Sequence, residues 1–270
     1  MITGGQNSIP SGLETQVPGE TSKLPHELAA GRALFIFLIF YVGQIVVGFM
    51  MGVLGGVYFA ATRGSSDPAL LAEMQRTITV PASLVGTVLA GLVVLRMTRH
   101  SLPGPMQSGA LSPIGWSGAS ARHLASGLIL GFGLSVAYLF VLVPTFPPAP
   151  DQAWGPLVRA AHAGGWSRHG WALLAVFAAP PVEELVFRGV LFAGFSRSWG
   201  PGLSGTLVTL IFVAAHFTEV FAYWPALVSL GLVGVATLLI RIGTKSLAPA
   251  IFVHASYNLV LVLAVYAGAA

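Results

Sequence analysis

The chain contains no cysteine in 270 residues. That absence excludes disulfides, thiolate metal ligands and a cysteine nucleophile. Charge is scarce too. Only 8% of the residues are Asp, Glu, Lys or Arg, against about 25% in an ordinary soluble domain. The formal net charge is +4, but the basic residues form no block that would track a nucleic-acid backbone. His-Glu-x-x-His, the helical zinc site of many metalloproteases, is missing. No Gly-x-Gly-Asp suggests an aspartyl intramembrane protease. No repeat of roughly 20–50 residues is visible. A proton-coupled transporter would be expected to show inverted repeats, and none is seen.

What is present is apolar: 55% of the residues are hydrophobic. The composition predicts an all-α polytopic membrane protein. Residues 1–32 are polar and rich in Gly, Pro, Ser and Thr, and read as a disordered cytoplasmic tail. No basic stretch there leads at once into an apolar core, so no cleavable signal peptide is read. Residues 33–270 form one membrane domain. Seven spans are expected, with eight as an alternative count: 33–61, 80–95, 124–143, 171–195, 203–218, 225–240 and 247–267. An interfacial helix is expected near 154–162. Tryptophans 154, 166, 171, 199 and 224 suggest an aromatic belt.

Seven alternating spans divide the basic residues unequally. Lys23, Arg32, Arg96, Arg99, Arg122, Arg197, Arg241 and Lys245 fall on one side. Arg63, Arg76, Arg159 and Arg168 fall on the other. The positive-inside rule then puts the N-terminus in the cytoplasm. An extra span would flip only the C-terminus.

Against this background Pro180-Pro181-Val182-Glu183-Glu184-Leu185-Val186-Phe187-Arg188 stands out. Ionisable groups within a span are costly, about 2.5–3.5 kcal/mol each on insertion scales. Glu184 and Arg188 lie four residues apart on one helical face and can pair. Glu183 is turned ~100° away and must point elsewhere. One glutamate therefore reads as structural and the other as available for chemistry. Two more polar clusters follow in apolar helices. Phe212 lies one turn before His216, and His254 shares a face with Asn258. Each buried histidine alone reads as a paired structural residue. Jointly, two histidines, an asparagine and a free glutamate form an acid–base set.

Weaker features have plainer readings. Gly202-Leu203-Ser204-Gly205 matches the Gly-x-Ser-Gly of rhomboid serine proteases, but reads as a helix start with small packing residues. The same packing role suits Ser229, Gly231, Gly234 and Ala236. Pro180-Pro181 is either a simple kink or a device that opens backbone carbonyls to a cavity. Glu219 reads as solvated. Arg96, Arg99, Arg241 and Lys245 read as topogenic charges.

Glu-Glu-x-x-x-Arg, Phe-x-x-x-His and His-x-x-x-Asn, in this order on hydrophobic helices, resemble the CPBP family. These are intramembrane proteases of the CAAX prenyl endopeptidase type, called Abi proteins in bacteria. The resemblance covers about 171–267, including Gly243-Thr244-Lys245-Ser246-Leu247-Ala248-Pro249. It implies that Glu183 activates water and that His216 holds and polarises it. His254 and Asn258 would stabilise the oxyanion, with Glu184, Arg188 and Phe212 in support. It implies an intramembrane endopeptidase acting on a hydrophobic or lipid-anchored polypeptide among the membrane lipids. A prenylated tail, a C-terminal sorting helix and a leader peptide all remain open. Both metal-free and zinc-dependent chemistry have been described for the family. Zinc would take Glu183, His216 and His254; the His-Asn pair favours the metal-free form, with no cofactor. The rival reading is a non-catalytic scaffold or bacteriocin-immunity-type protein of the same fold. One geometric problem is apparent: by residue counting, Glu183, His216 and His254 lie at different depths. Extension of the fifth helix towards Trp224, tilted spans, or a break at Pro180-Pro181 would reconcile them.

Overall fold

A computed structural model describes residues 28–63, 68–99, 114–149, 155–220 and 223–268. The expected tail lies almost wholly outside these residues, as does Trp154. The side chain of Glu219 is likewise not described.

Every regular element among the described residues is helical. We number them α1 (Ala30–Arg63), α2 (Pro68–Thr98), α3 (Ala121–Thr145), α4 (Pro156–Ala163), α5 (Gly165–Trp199), α6 (Pro201–Ala215), α7 (Phe217–Val220), α8 (Trp224–Thr244) and α9 (Leu247–Ala267). Six of them are long and apolar enough to cross a membrane: α1, α2, α3, α5, α8 and α9. The expected fifth span is instead the shorter α6, of 15 residues. At 1.5 Å per residue it reaches about 22 Å, less than the ~30 Å hydrocarbon layer. It ends at Ala215 rather than Thr218 and does not extend towards Trp224. The expected interfacial helix is α4, reversed into α5 by Gly164 and Gly165, both at positive φ.

The two long contacts of the bundle are α1 with α2 and α3 with α9. The second has a clear cause. The buried residues of α3 between Ala121 and Ala137 are Gly127, Gly131 and Ser135, at four-residue spacing. A Cβ on Gly127 or Gly131 would strike the backbone oxygen of Pro249 or Val253. Small side chains thus let α3 lie directly on the α9 backbone, where dispersion rather than a hydrophobic force holds helices together.

One face of the bundle carries the 114–120 segment and the α5–α6 and α8–α9 connections. A strap is built there. Leu247 N donates to Gly115 O at 2.8 Å, and Ser246 Oγ to Ser117 O at 2.7 Å. Ser246 also caps α9 by accepting from Ala248 N. Gly115 has φ 75 and sits against the Arg241 guanidinium, with no room for a side chain. Arg241 is buried beneath the strap, which corrects its reading as a simple topogenic charge. The opposite face carries the ends of α1, α3 and α9 with α4 and α7. There Tyr223 Oη donates to Phe146 O, and Trp224 packs edge-on against Phe146.

The large apolar core is one-sided. Ile36, Ile114, Phe187, Leu191, Phe212 and Leu247 belong to a cluster that fills the half nearest the strap. The belt is only partly as expected. Trp166, Trp199 and Trp224 are exposed, whereas Trp171 lines an internal cavity.

Candidate active site

The site begins with a distorted helix. Pro180 and Pro181 have no N–H to give, and α5 is not broken there but wound into wider π turns at Leu174–Ala178 and Leu185–Leu191. Ala179 N reaches back five residues to Leu174 O. By that register Ala175 O would pair with residue 180, which is proline. The orphaned carbonyl is taken by Asn258, whose Nδ2 donates to Ala175 O at 2.8 Å. The prolines therefore do open a backbone carbonyl in the membrane, and a polar side chain from α9 closes it.

Glu184 and Arg188 form the expected pair, 3.1 Å apart and both 0% exposed. Arg188 Nη2 also donates to Gly234 O at 2.9 Å, and the guanidinium lies 4.3 Å from the centre of the Phe212 ring. Gly234 lets the guanidinium reach that oxygen, since a Cβ there would crowd Thr209, Phe212 and Arg188. This is the role of one of the small residues read in the sixth span; Ser229 instead pairs with Tyr257 at 2.7 Å, and a Cβ on Gly231 would meet nothing within 4 Å. The remaining Glu184 contact is outward. His254 Nδ1 lies 3.0 Å from Glu184 Oε1, so the carboxylate accepts its proton and fixes the ring.

Glu183 points elsewhere, as its rotation requires. Its Oε2 lies 3.5 Å from His216 Nε2 and 3.9 Å from His254 Nε2. His216 is held from behind in the same way, with Nδ1 2.8 Å from Phe212 O. A carbonyl can only accept, so Nδ1 carries the proton and Nε2 faces Glu183. His216 stands at the C-terminal end of α6, in the membrane interior because that helix is short. Phe212 braces both rings, at 4.7 Å from His216 and 5.8 Å from His254 between centroids. The short α6 and the rewound α5 thus resolve the depth problem without the extension of the fifth helix or the break.

All four predicted side chains, Glu183, His216, His254 and Asn258, line one cavity of about 590 Å³. Its walls are mostly apolar. Their side chains are graded in exposure: 27% for His216, 18% for Glu183 and 4% for His254. The cavity therefore reaches the side chains of Glu183 and His216, with Glu183 Oε2 itself buried and, among the described residues, free of a hydrogen-bond partner, while Glu184 and Arg188 lie sealed behind them. No group of three or more His, Asp or Glu side chains fit to hold a metal ion occurs among the described residues. His254 Nδ1 is already committed to Glu184. That contact leaves Nε2 of His254 facing Glu183, as the Phe212 contact does for His216; no step below passes through a metal.

Several contributors escaped the sequence reading. Tyr41 donates to Ala215 O at 3.2 Å and ties α1 to the end of α6 beside His216. Gln44 and Thr87 pair at 3.1 Å between α1 and α2, and both line the cavity. Gln44 gave a signal: it is the one amide side chain between Ala33 and Ala61. Ser204, the serine of the rhomboid-like tetrapeptide, is fully buried without a hydrogen-bond partner for Oγ. It lacks the base a serine nucleophile needs, and Gly205 beside it packs against Leu238.

Residues 165–260 match the family described as Type II CAAX prenyl endopeptidase Rce1-like. The match starts a little before the stretch marked by sequence motifs and runs from the start of α5 into α9. No curated protein matches the chain, and no solved structure does. The matched stretch holds Glu183, Glu184, Arg188, Phe212, His216, His254 and Asn258. A distorted helix, a short helix ending in histidine and a final helix bearing His-x-x-x-Asn thus make up the stretch that is similar to the Rce1-like family, which supports the resemblance to the CPBP family of CAAX-type proteases.

Proposed function

We propose that the protein is an intramembrane endopeptidase in which Glu183 activates water, without a metal. The observation that carries this reading is the convergence of Glu183 Oε2 with two ring nitrogens on the floor of a cavity. Neutral His216 presents a bare Nε2, so carboxylate and imidazole together form an acceptor pair. A water bound alongside the pair in the cavity donates towards Glu183. Glu183 takes that proton, and the oxygen attacks the carbonyl carbon of the scissile peptide. The carbonyl oxygen becomes an oxyanion. The remaining amide hydrogen of Asn258 donates to that oxygen, with His254 Nε2 beside it. Donors fixed before the reaction act strongly in a water-poor site. Glu183 then passes its proton to the leaving nitrogen as the C–N bond breaks.

Glu184 works through others. Its carboxylate orients His254 and is itself held by Arg188, an arrangement in which the supporting partner fixes the ring as in other histidine sites. The apolar walls suit a hydrophobic or lipid-anchored segment of a membrane-associated protein or peptide. A prenylated tail, a sorting helix and a leader each satisfy that description.

The test compares wild type with Glu183→Ala in native membranes by mass spectrometry of protein termini. A new terminus present only with wild type, and unaffected by a zinc chelator, is expected. Loss of that terminus on chelation would contradict the metal-free mechanism. Identical termini at equal expression would overturn the protease reading and favour the scaffold.

A further inference from the structure

Gln44 lies deep within α1, with apolar residues on either side of it along the helix. An amide placed there costs free energy unless its polar groups find partners. Joining α1 to α2 does not account for it. Those helices already meet along small residues: a Cβ on Gly43 would lie 3.7 Å from the Ala90 Cβ, and one on Gly86 3.6 Å from the Gln44 Cα, both ordinary van der Waals contact. Thr87 Oγ1 donates one hydrogen bond to Gln44 Oε1, at 3.1 Å. The other half of the amide is left over. Among the described residues its nitrogen has no hydrogen-bond partner, and the side chain lines the cavity that holds Glu183.

Tyr41 sets the position of this amide relative to the chemistry. Its hydroxyl donates to Ala215 O, directly before His216. Gln44 follows three residues later, about 4.5 Å further along α1 and on nearly the same face. An extended peptide advances about 3.3 Å per residue. A chain whose scissile carbonyl lies at Glu183 therefore comes level with Gln44 one or two residues on. Space continues at that point: Gln44 and Ser83 also line a second cavity of about 330 Å³ between α1 and α2, walled by Gly48, Gly52 and Ile78. Resting on the catalytic reading of Glu183, we infer that Gln44 is a substrate-binding residue that holds the main chain beside the scissile bond. Its Nε2 donates to a substrate carbonyl, and the second lone pair of Oε1 accepts from a substrate N–H. These are the two groups that an extended segment must satisfy away from water. Thr87 holds the amide in that orientation, and the second cavity admits the neighbouring apolar side chain.

Three variants of the full chain in detergent test this. Gln44→Met keeps the length of the side chain and removes both polar groups. Thr87→Val removes the tie and leaves the amide. The double variant makes the α1–α2 contact apolar on both sides, which restores what the loss of one partner costs. The probe is a peptide spanning the terminus that wild type produces and Glu183→Ala does not. Gln44→Met should lower kcat/KM about tenfold or more, chiefly through KM, the scale of one or two lost hydrogen bonds. Thr87→Val should lower it by no more than about threefold. The double variant should melt like wild type and keep the loss of Gln44→Met in full. Recovered cleavage in the double variant, or equal losses in Gln44→Met and Thr87→Val, would reduce the pair to a tie between helices and overturn the proposal. An unchanged kcat/KM in Gln44→Met overturns it while leaving the role of Glu183 intact. If wild type produces no terminus that Glu183→Ala lacks, the catalytic reading falls and the proposal with it.

Discussion

The two halves of the membrane domain, divided at the level of Glu183, are built on different terms. Below it, towards the strap, side chains interlock and the Glu184–Arg188 ion pair is wholly sealed. Above it the helices separate around a cavity of about 590 Å³. Two adjacent glutamates mark the boundary. Glu184 belongs to the packed half and spends its Oε1 on Arg188 and His254. Glu183 belongs to the open half and faces two histidines across distances of 3.5 and 3.9 Å, longer than direct hydrogen bonds. One residue of helical rotation, about 100°, separates a structural carboxylate from a chemical one.

The largest break in this comparison comes from the open half. Glu183→Gln should lower proteolysis about 10³-fold or more, the scale of a lost general base, while the fraction of folded protein in detergent stays unchanged. In the packed half the expectation reverses. Arg188→Ala leaves Glu184 buried with His254 Nδ1 as its remaining partner, and should cost about 3–5 kcal/mol of stability, read as a lost or strongly lowered thermal transition. Gly131→Val pushes α3 off the α9 backbone. A cost of about 1–3 kcal/mol from overpacking is expected, with activity falling only as folded protein falls. Asn258→Leu sharpens the boundary itself, because it orphans Ala175 O in the middle of α5. About 1–3 kcal/mol should be lost, together with more activity than the melting shift explains if Asn258 also faces the oxyanion. Ser204→Ala should change stability by no more than about 0.5 kcal/mol and leave proteolysis intact; a large loss of activity would revive the serine reading.

Much of this was legible in the sequence because the membrane simplifies the problem. Long apolar runs gave five of the six long helices within about six residues of their observed ends, whereas α2 begins at Pro68, twelve residues before the expected start at Val80. Charges are so rare that the Glu184–Arg188 pair and the separate aim of Glu183 followed from helical spacing alone. Phe212 beside His216 followed in the same way. What stayed hidden depends on contacts between helices. Nothing in residues 203–218 announces that the helix stops at His216, since Phe217 and Thr218 continue the apolar pattern. Asn258 shared a face with His254 as expected, but its bond to Ala175 O arises from two prolines 77 or more positions away. The Gly127, Gly131 and Ser135 seam was present as a spacing in the third span, whereas small residues read as packing positions only in the fifth and sixth. Arg241 looked like any other basic residue near a helix end; only the strap above it makes it buried.

The division between the two glutamates is tested most directly by measuring Glu183→Gln and Glu184→Gln side by side, for thermal stability in detergent and for appearance of the cleaved terminus in native membranes. Glu183→Gln should melt like wild type and produce no cleaved terminus, while Glu184→Gln should melt well below wild type. Cleavage retained by Glu183→Gln, or a stability loss in that variant as large as in Glu184→Gln, would contradict the account.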